Sequence, residues 1–382
     1  MRDRPAEPPS APAGTAPAQR LRAALVGLLG DSMGGTPRRA SGAPLLKPGI
    51  QALRALAVYL LAWAAVEALR LATGGPVYPP LVALLAWAGL YVSARAYIAG
   101  DSTARVIATI DRDILPFAST GFVDAVAADL ERRDTPARRI VWPLAVALAC
   151  TAAGVAAFAD DLGVTLDQAL ASPEALFAIL SLLLGYFLSA RSAGAAGFYI
   201  SFAERLDSEA GKGLFVLDAA QSPLVQGLAK LGTQVLIFWA LIFVAILSSL
   251  LLALPWPDGF RLEENSLFLW VFVPVTGFVT LGFGSLVYLR SEGKIRSALR
   301  RYTRAEAVLL QQRINALLDP AAGCVPADAE EVDRLVEWHD RILAGGRYGS
   351  RLGTSVSIAL PFILPAVSLA KSLYVSLAGS SG

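Results

Sequence analysis

The chain has 382 residues, 55% hydrophobic and only 17% charged, with a net charge of +2 and a mean hydropathy of +0.54. Soluble proteins run at about 45–50% apolar and about 25% charged, so the balance points to a membrane protein. The small net charge excludes a general electrostatic demand for nucleic acid. Two cysteines, Cys150 and Cys324, and one histidine, His339, argue against a disulfide framework and leave too few ligands for a Cys/His zinc site.

Residues 1–49 form a Pro/Ala/Gly-rich leader with seven Lys or Arg, read as a disordered cytosolic segment. Its best apolar run, Leu21 to Leu29, offers the alternative of a short amphipathic helix at the membrane surface. The run is short for a secretory signal, and no small-residue cleavage pattern follows it. "GDSMG" at 30–34 matches the G-x-S-x-G turn that presents a nucleophilic serine. That turn requires a preceding strand, a following helix and a partner histidine, so Ser32 is given no catalytic role. No residue is assigned to catalysis or metal binding, no cofactor is implied, and the chain is not read as an enzyme.

Apolar stretches at about 50–72, 78–97, 140–158, 175–197, 233–254, 267–289 and 355–377 have the length of about 20 residues that crosses a bilayer as a helix. They predict an all-α polytopic membrane protein of about seven transmembrane helices. Three hairpins occupy 50–289, a cytosolic helical segment 290–354, and a last Pro-containing span and tail 355–382. The link at 159–174 carries Asp160, Asp161, Asp167 and Glu174 with no Lys or Arg, and 255–266 carries Arg261 against Asp258, Glu263 and Glu264. The leader and the links at 95–139, 191–231 and 290–354 hold 29 of the 33 basic residues. Basic loops stay cytoplasmic, so the N-terminus is expected inside and the C-terminus outside. Span seven is the least regular, with Pro361, Pro365 and Lys371, and re-entry is its alternative.

One heptapeptide recurs: "GLYVSAR" at 89–95, "GYFLSAR" at 185–191 and, more loosely, "GSLVYLR" at 284–290. Gly89, Gly185 and Gly284 each precede an arginine by six residues: Arg95, Arg191 and Arg290. Each copy falls where the second helix of a hairpin reaches the cytoplasm. There a small residue admits a neighbouring helix and an arginine snorkels to the headgroups. An ancestral hairpin repeat and chance similarity at helix ends both remain open.

The cytosolic excursions have helical character. Residues 102–133 are interrupted at Pro116, and 198–230 continue the fourth helix before loosening around Gly211 and Gly213. In the last excursion Ile295, Leu299, Tyr302, Leu309 and Ile314 mark one amphipathic helix, broken near 319–326. Val332, Leu335, Val336, His339 and Ile342 mark a second, at about 328–343.

Three polar groupings are candidates for function. Lys294, Arg296, Arg300, Arg301 and Arg304 follow span six directly; they suit anionic lipid headgroups or, alternatively, an acidic ligand such as a nucleotide or oligonucleotide. Glu67 and Arg70, at i and i+3 near the outer end of span one, read as a local ion pair, with a proton relay as the alternative. In span seven, Thr354, Ser357, Pro361, Pro365, Ser368, Lys371, Ser372 and Ser376 share an arc of roughly 140° at ~100° per residue. Lipid does not reward a polar stripe, so it is expected to face helices or line an aqueous path.

From "RSALRRYTRAEAVLLQQRINALL" through "VDRLVEWHDRILAGGRYGSRLGTSVSIALPFILPAVSLAKSLY", residues 290–378, the chain resembles a group of bacterial multi-pass membrane proteins. In them a cytosolic helical segment ends in a short "[YH]DR" helix and leads into a Pro-containing last span. Some proteins of that layout are ion-conducting anti-phage defence effectors held in check by nucleotide or oligonucleotide signals. The resemblance implies a bacterial plasma-membrane protein with a defence role and supplies no site residues. The combined expectation is a homo-oligomeric ion channel or pore. The alternatives are a membrane-anchored scaffold that recruits a cytosolic partner and a small-solute transporter.

Overall fold

The computed structural model describes residues 16–32, 47–75, 79–135, 137–162, 172–208, 214–215, 218–253, 273–318 and 326–345. These residues are helical with no strand: α1 (Ala16–Ser32), α2 (Pro48–Thr73), α3 (Pro79–Thr109), α4 (Thr120–Arg133), α5 (Trp142–Leu162), α6 (Pro173–Ser208), α7 (Pro223–Ala253), α8 (Val273–Leu317) and α9 (Pro326–Gly345). Five of these helices begin on a proline, whose fixed φ and missing N–H suit the first helical position. At the other end of α2, Gly74 adopts the left-handed conformation at φ 66°. The N–H of Gly75 then reaches the Arg70 carbonyl and that of Gly74 the Leu71 carbonyl, closing the helix as a Schellman turn.

Two π-helical segments, Ile110–Ile114 and Ala137–Val141, each lie two residues before a proline, Pro116 and Pro143. A proline ring collides with the carbonyl four residues earlier, and a widened turn accommodates it. The break expected at Pro116 is therefore a π turn, followed by α4, whose cap Ser119 accepts a hydrogen bond from the Phe122 N–H.

Helices adjacent in sequence pack as pairs, α2 on α3, α5 on α6 and α7 on α8, and α3, α6, α7 and α8 form the centre. Three helices among the described residues are long and apolar enough to cross a membrane, Pro48–Thr73, Pro173–Leu206 and Pro223–Ser249, with Trp142–Ala153 a shorter apolar helix. On α2 only Tyr59 is buried, while Ile50, Leu53, Val58, Leu60, Leu61, Leu69 and Leu71 are exposed. A water-facing surface that apolar is disfavoured, whereas lipid solvates it. The expected last span, with Thr354, Ser357, Pro361, Pro365, Ser368, Lys371 and Ser372, lies outside the described residues.

Two helices run far past any span. α6 has 36 residues and α8 has 45, about 54 and 67 Å at ~1.5 Å per residue, against roughly 40–45 Å for a whole bilayer. The extension of α6 packs with α1 and α4, and α8 packs with α9. Here part of the leader departs from expectation: residues 16–32 are helical, with Ala18, Leu21, Leu25 and Leu29 buried in the common core. The apolar spacing was visible, but an isolated helix of 17 residues is marginal in water; the partners on α4 and α6 decide the outcome. Ser32 ends this helix, so no strand precedes it.

Arg20 ties α1 to α4, donating to Glu131 at 2.8 and 2.6 Å and to Asp124 at 2.8 Å, while Arg22 reaches Asp111 at 2.7 Å. The hydrogen bond from Arg20, with its charge, holds the Glu131 carboxyl below its ordinary value of 4.5. A depressed carboxylate contributes stability above its unfolded pKa and loses it as pH falls through the folded value. Hydrogen exchange of the α1 amides, corrected for intrinsic rates, is accordingly expected to be slow at neutral pH and to accelerate below pH 4.5 before the rest of the core opens. If α1 stays protected until global unfolding, these ion pairs do not hold it.

Candidate functional site

The first and second of the repeated heptapeptides meet in space. Tyr91 and Ser189 share a hydroxyl–hydroxyl hydrogen bond of 3.2 Å. Arg95, only 2% exposed, donates to the Leu188 carbonyl and, at 2.6 Å, to the Ser192 hydroxyl. The snorkelling expected of Arg95 is thus corrected: the first copy's arginine joins α3 to α6 inside the protein, whereas Arg290 is exposed. The glycines of the first and third copies have a matching use. A Cβ on Gly89 would lie 2.8 Å from the Tyr59 ring and one on Gly284 2.8 Å from Trp239, each aromatic coming from the first helix of that hairpin. The second copy lacks this, since Gly185 has only Tyr91 of another hairpin at 3.8 Å.

At the opposite end of α2, Arg70 joins two carboxylates. Its single Nε hydrogen is donated to Glu67 at 2.8 Å, and the Glu174 carboxylate lies 2.8 Å from the same nitrogen as a charge contact. Glu67 also accepts from the Trp63 indole at 3.2 Å, and Glu174 from the Ser172 hydroxyl at 2.8 Å. Glu174 is in the first turn of α6 and Arg70 in the last turn of α2, where the helix dipoles favour a negative and a positive charge respectively. The ion pair read from the sequence is therefore present. Its third member, 104 positions beyond Arg70 in the sequence, was beyond any helical-spacing argument.

The five basic residues singled out all lie on α8, but the structure separates them. Arg296, Arg300, Arg301 and Arg304, with Gly293 and Ser297, line a cavity of about 450 Å³, within an arc of roughly 140° at ~100° per residue. Ile295, Ala298, Leu299 and Tyr302 fall on the opposite face and are buried. Lys294 is not among the lining residues and sits 4.0 Å from Glu204 of α6. Arg296 lies 3.6 Å from the buried Glu292, beyond hydrogen-bond length, and two of its nitrogens are buried without an acceptor.

Further down, α8 and α9 pair as the expected helical hairpin, burying Ile314, Leu335 and Ile342 while Leu309, Val336 and Trp338 stay exposed. Leu309 and Val336 were expected on the apolar faces. His339 is half-buried, its Nδ1 3.4 Å from Asp340. No group of three or more His, Cys, Asp or Glu suited to a metal occurs among the described residues. Comparison of the chain with family models, with curated proteins and with solved structures finds no match.

Proposed function

We propose that the protein is a homo-oligomeric ion channel or pore of the bacterial plasma membrane, N-terminus cytoplasmic, with about seven spans. The observation that carries the reading is α6, a helix of 36 residues that holds a membrane-length apolar stretch and runs on without a break into Glu204, Arg205 and Asp207; α8 continues in the same way from the expected sixth span. A rigid helix of that kind transmits a movement of the cytosolic layer into the membrane, as a gated pathway requires. The bias of basic residues toward one set of links and the lipid-like exterior of α2 support the same placement. Span seven, with its stripe through Ser368 and Lys371, is the proposed wall of the pathway.

Purified protein reconstituted in liposomes is expected to conduct, and Lys371→Glu is expected to move the reversal potential toward cations, because a ring of like charges at a mouth selects the opposite ion. Absence of conductance from an oligomer that remains folded removes the channel reading. The second reading, a membrane-anchored scaffold, rests on the exposed Leu309, Val336, Trp338 and Leu343 of the α8–α9 hairpin; it then takes precedence.

A further inference from the structure

We propose that the arginine face of α8 is a binding site for a soluble anion carrying two or more phosphate groups. Four arginines line one cavity, and no carboxylate lies among its described lining residues; Glu292 approaches Arg296 at 3.6 Å. Elsewhere in the extensions arginines are matched by acids: Arg20 by Glu131, Arg22 by Asp111, Arg133 by Glu204 and Arg205 by Asp129. Arg300 and Arg304 have no ion-pair partner among the described residues. The spacing is itself unfavourable without an anion, since Arg296/Arg300 and Arg300/Arg304 are like charges at i and i+4. Arg296 is matched by the buried Glu292 at 3.6 Å, so Arg300 and Arg304 carry the contrast. Guanidinium forks match phosphate oxygens in pairs, and a volume of about 450 Å³ is within the usual range for small-molecule sites.

Phosphate chemistry is shared by lipid headgroups and free anions, and axial distance separates them. The apolar part of α8 ends at Leu289. Arg300 and Arg304 lie 11 and 15 residues further on, roughly 16 and 22 Å along the axis at ~1.5 Å per residue. The headgroup layer adds only about 5–8 Å to each side of the hydrocarbon core. Arg304 is thus beyond the layer even allowing for its side-chain reach, and a dissolved polyphosphate is the occupant that contacts the whole face. This assignment rests on α8 leaving the membrane near Arg290 and is independent of whether the protein conducts ions.

Gly293 supplies a clean probe, because a Cβ built on it meets nothing within 4 Å. A larger residue there fills the cavity without displacing the fold and replaces a poor helix former. The test is calorimetric titration of the full chain, in phosphatidylcholine nanodiscs, with inorganic tripolyphosphate. Binding that weakens with salt is expected in the wild type, with a loss of about tenfold or more in Arg300→Gln/Arg304→Gln. Gly293→Leu is expected to lose binding while unfolding no earlier than the wild type, and Lys294→Gln to bind like the wild type. Equal affinity in the wild type and the double variant overturns the site. So does absence of tripolyphosphate binding; if phosphatidylglycerol then co-purifies in amounts that fall in the double variant, the face is a headgroup site instead.

Discussion

Gly227→Leu is expected to destabilise the protein by about 3 kcal/mol or more, at the upper end of what overpacking costs, and to leave little of it monodisperse after extraction. Gly227 lies on α7 against the π turn that ends α3. A Cβ there would sit 2.3 Å from the Asp113 carbonyl oxygen and 2.9 Å from its carbon. The obstacle is backbone, so no rotamer change relieves it; either α7 moves away or the π turn rewinds. Even Gly227→Ala is expected to destabilise, although alanine within a helix normally gains about 1 kcal/mol over glycine. Gly194→Ala in α6, where a Cβ meets nothing within 4 Å, is the control and is expected to show that gain. Thermal unfolding followed by tryptophan fluorescence reads both; equal stability of Gly227→Ala and Gly194→Ala would mean that α3 and α7 do not approach as described.

Arg70→Leu is expected to cost about 3–5 kcal/mol, the usual consequence of removing one partner from a buried charge cluster. The variant leaves Glu67 and Glu174 without their shared cation, and the Glu174 side chain is only 4% exposed. Replacing both members, Arg70→Leu/Glu174→Leu, is expected to recover most of the loss, since well-packed apolar groups often match or exceed a buried ion pair. The recovery is the decisive reading. A double variant no more stable than Arg70→Leu would show that the two charges are not coupled, and that the loss came from Glu67 or from the end of α2.

The helices and the packing of neighbours in pairs were legible because apolar length and turn residues are local properties. Pro48, Pro173 and Pro223 mark helix starts, and Gly74 marks a stop, without reference to anything distant. Four of the five apolar positions read on the lower helix, Ile295, Leu299, Tyr302 and Ile314, are buried because a single repeating face suffices to place them. Leu309 shares their spacing yet is 60% exposed, since spacing identifies a face and not whether a neighbour covers all of it. The basic cluster was visible as a run of charges. Its division into a cavity lined by Arg296, Arg300, Arg301 and Arg304 and a Lys294 facing Glu204 was not, because Glu204 lies on another helix 90 positions away.

By itself, then, the sequence determined the helical class, the pairing of neighbouring helices and the segregation of charge, all of which follow from properties that accumulate along a short stretch of chain. Only the tertiary structure decided that leader residues 16–32 dock as α1, that the first and second heptapeptide copies bind each other through Arg95, and that Glu174 completes the Arg70 cluster. Each of these depends on which helix stands opposite, and therefore on contacts between residues remote in sequence. An arginine just past an apolar stretch can satisfy its donors with headgroups, water or a neighbouring carbonyl. The packing of α3 against α6 selects the carbonyl of Leu188 and the hydroxyl of Ser192 for Arg95; Arg290, on α8, is exposed.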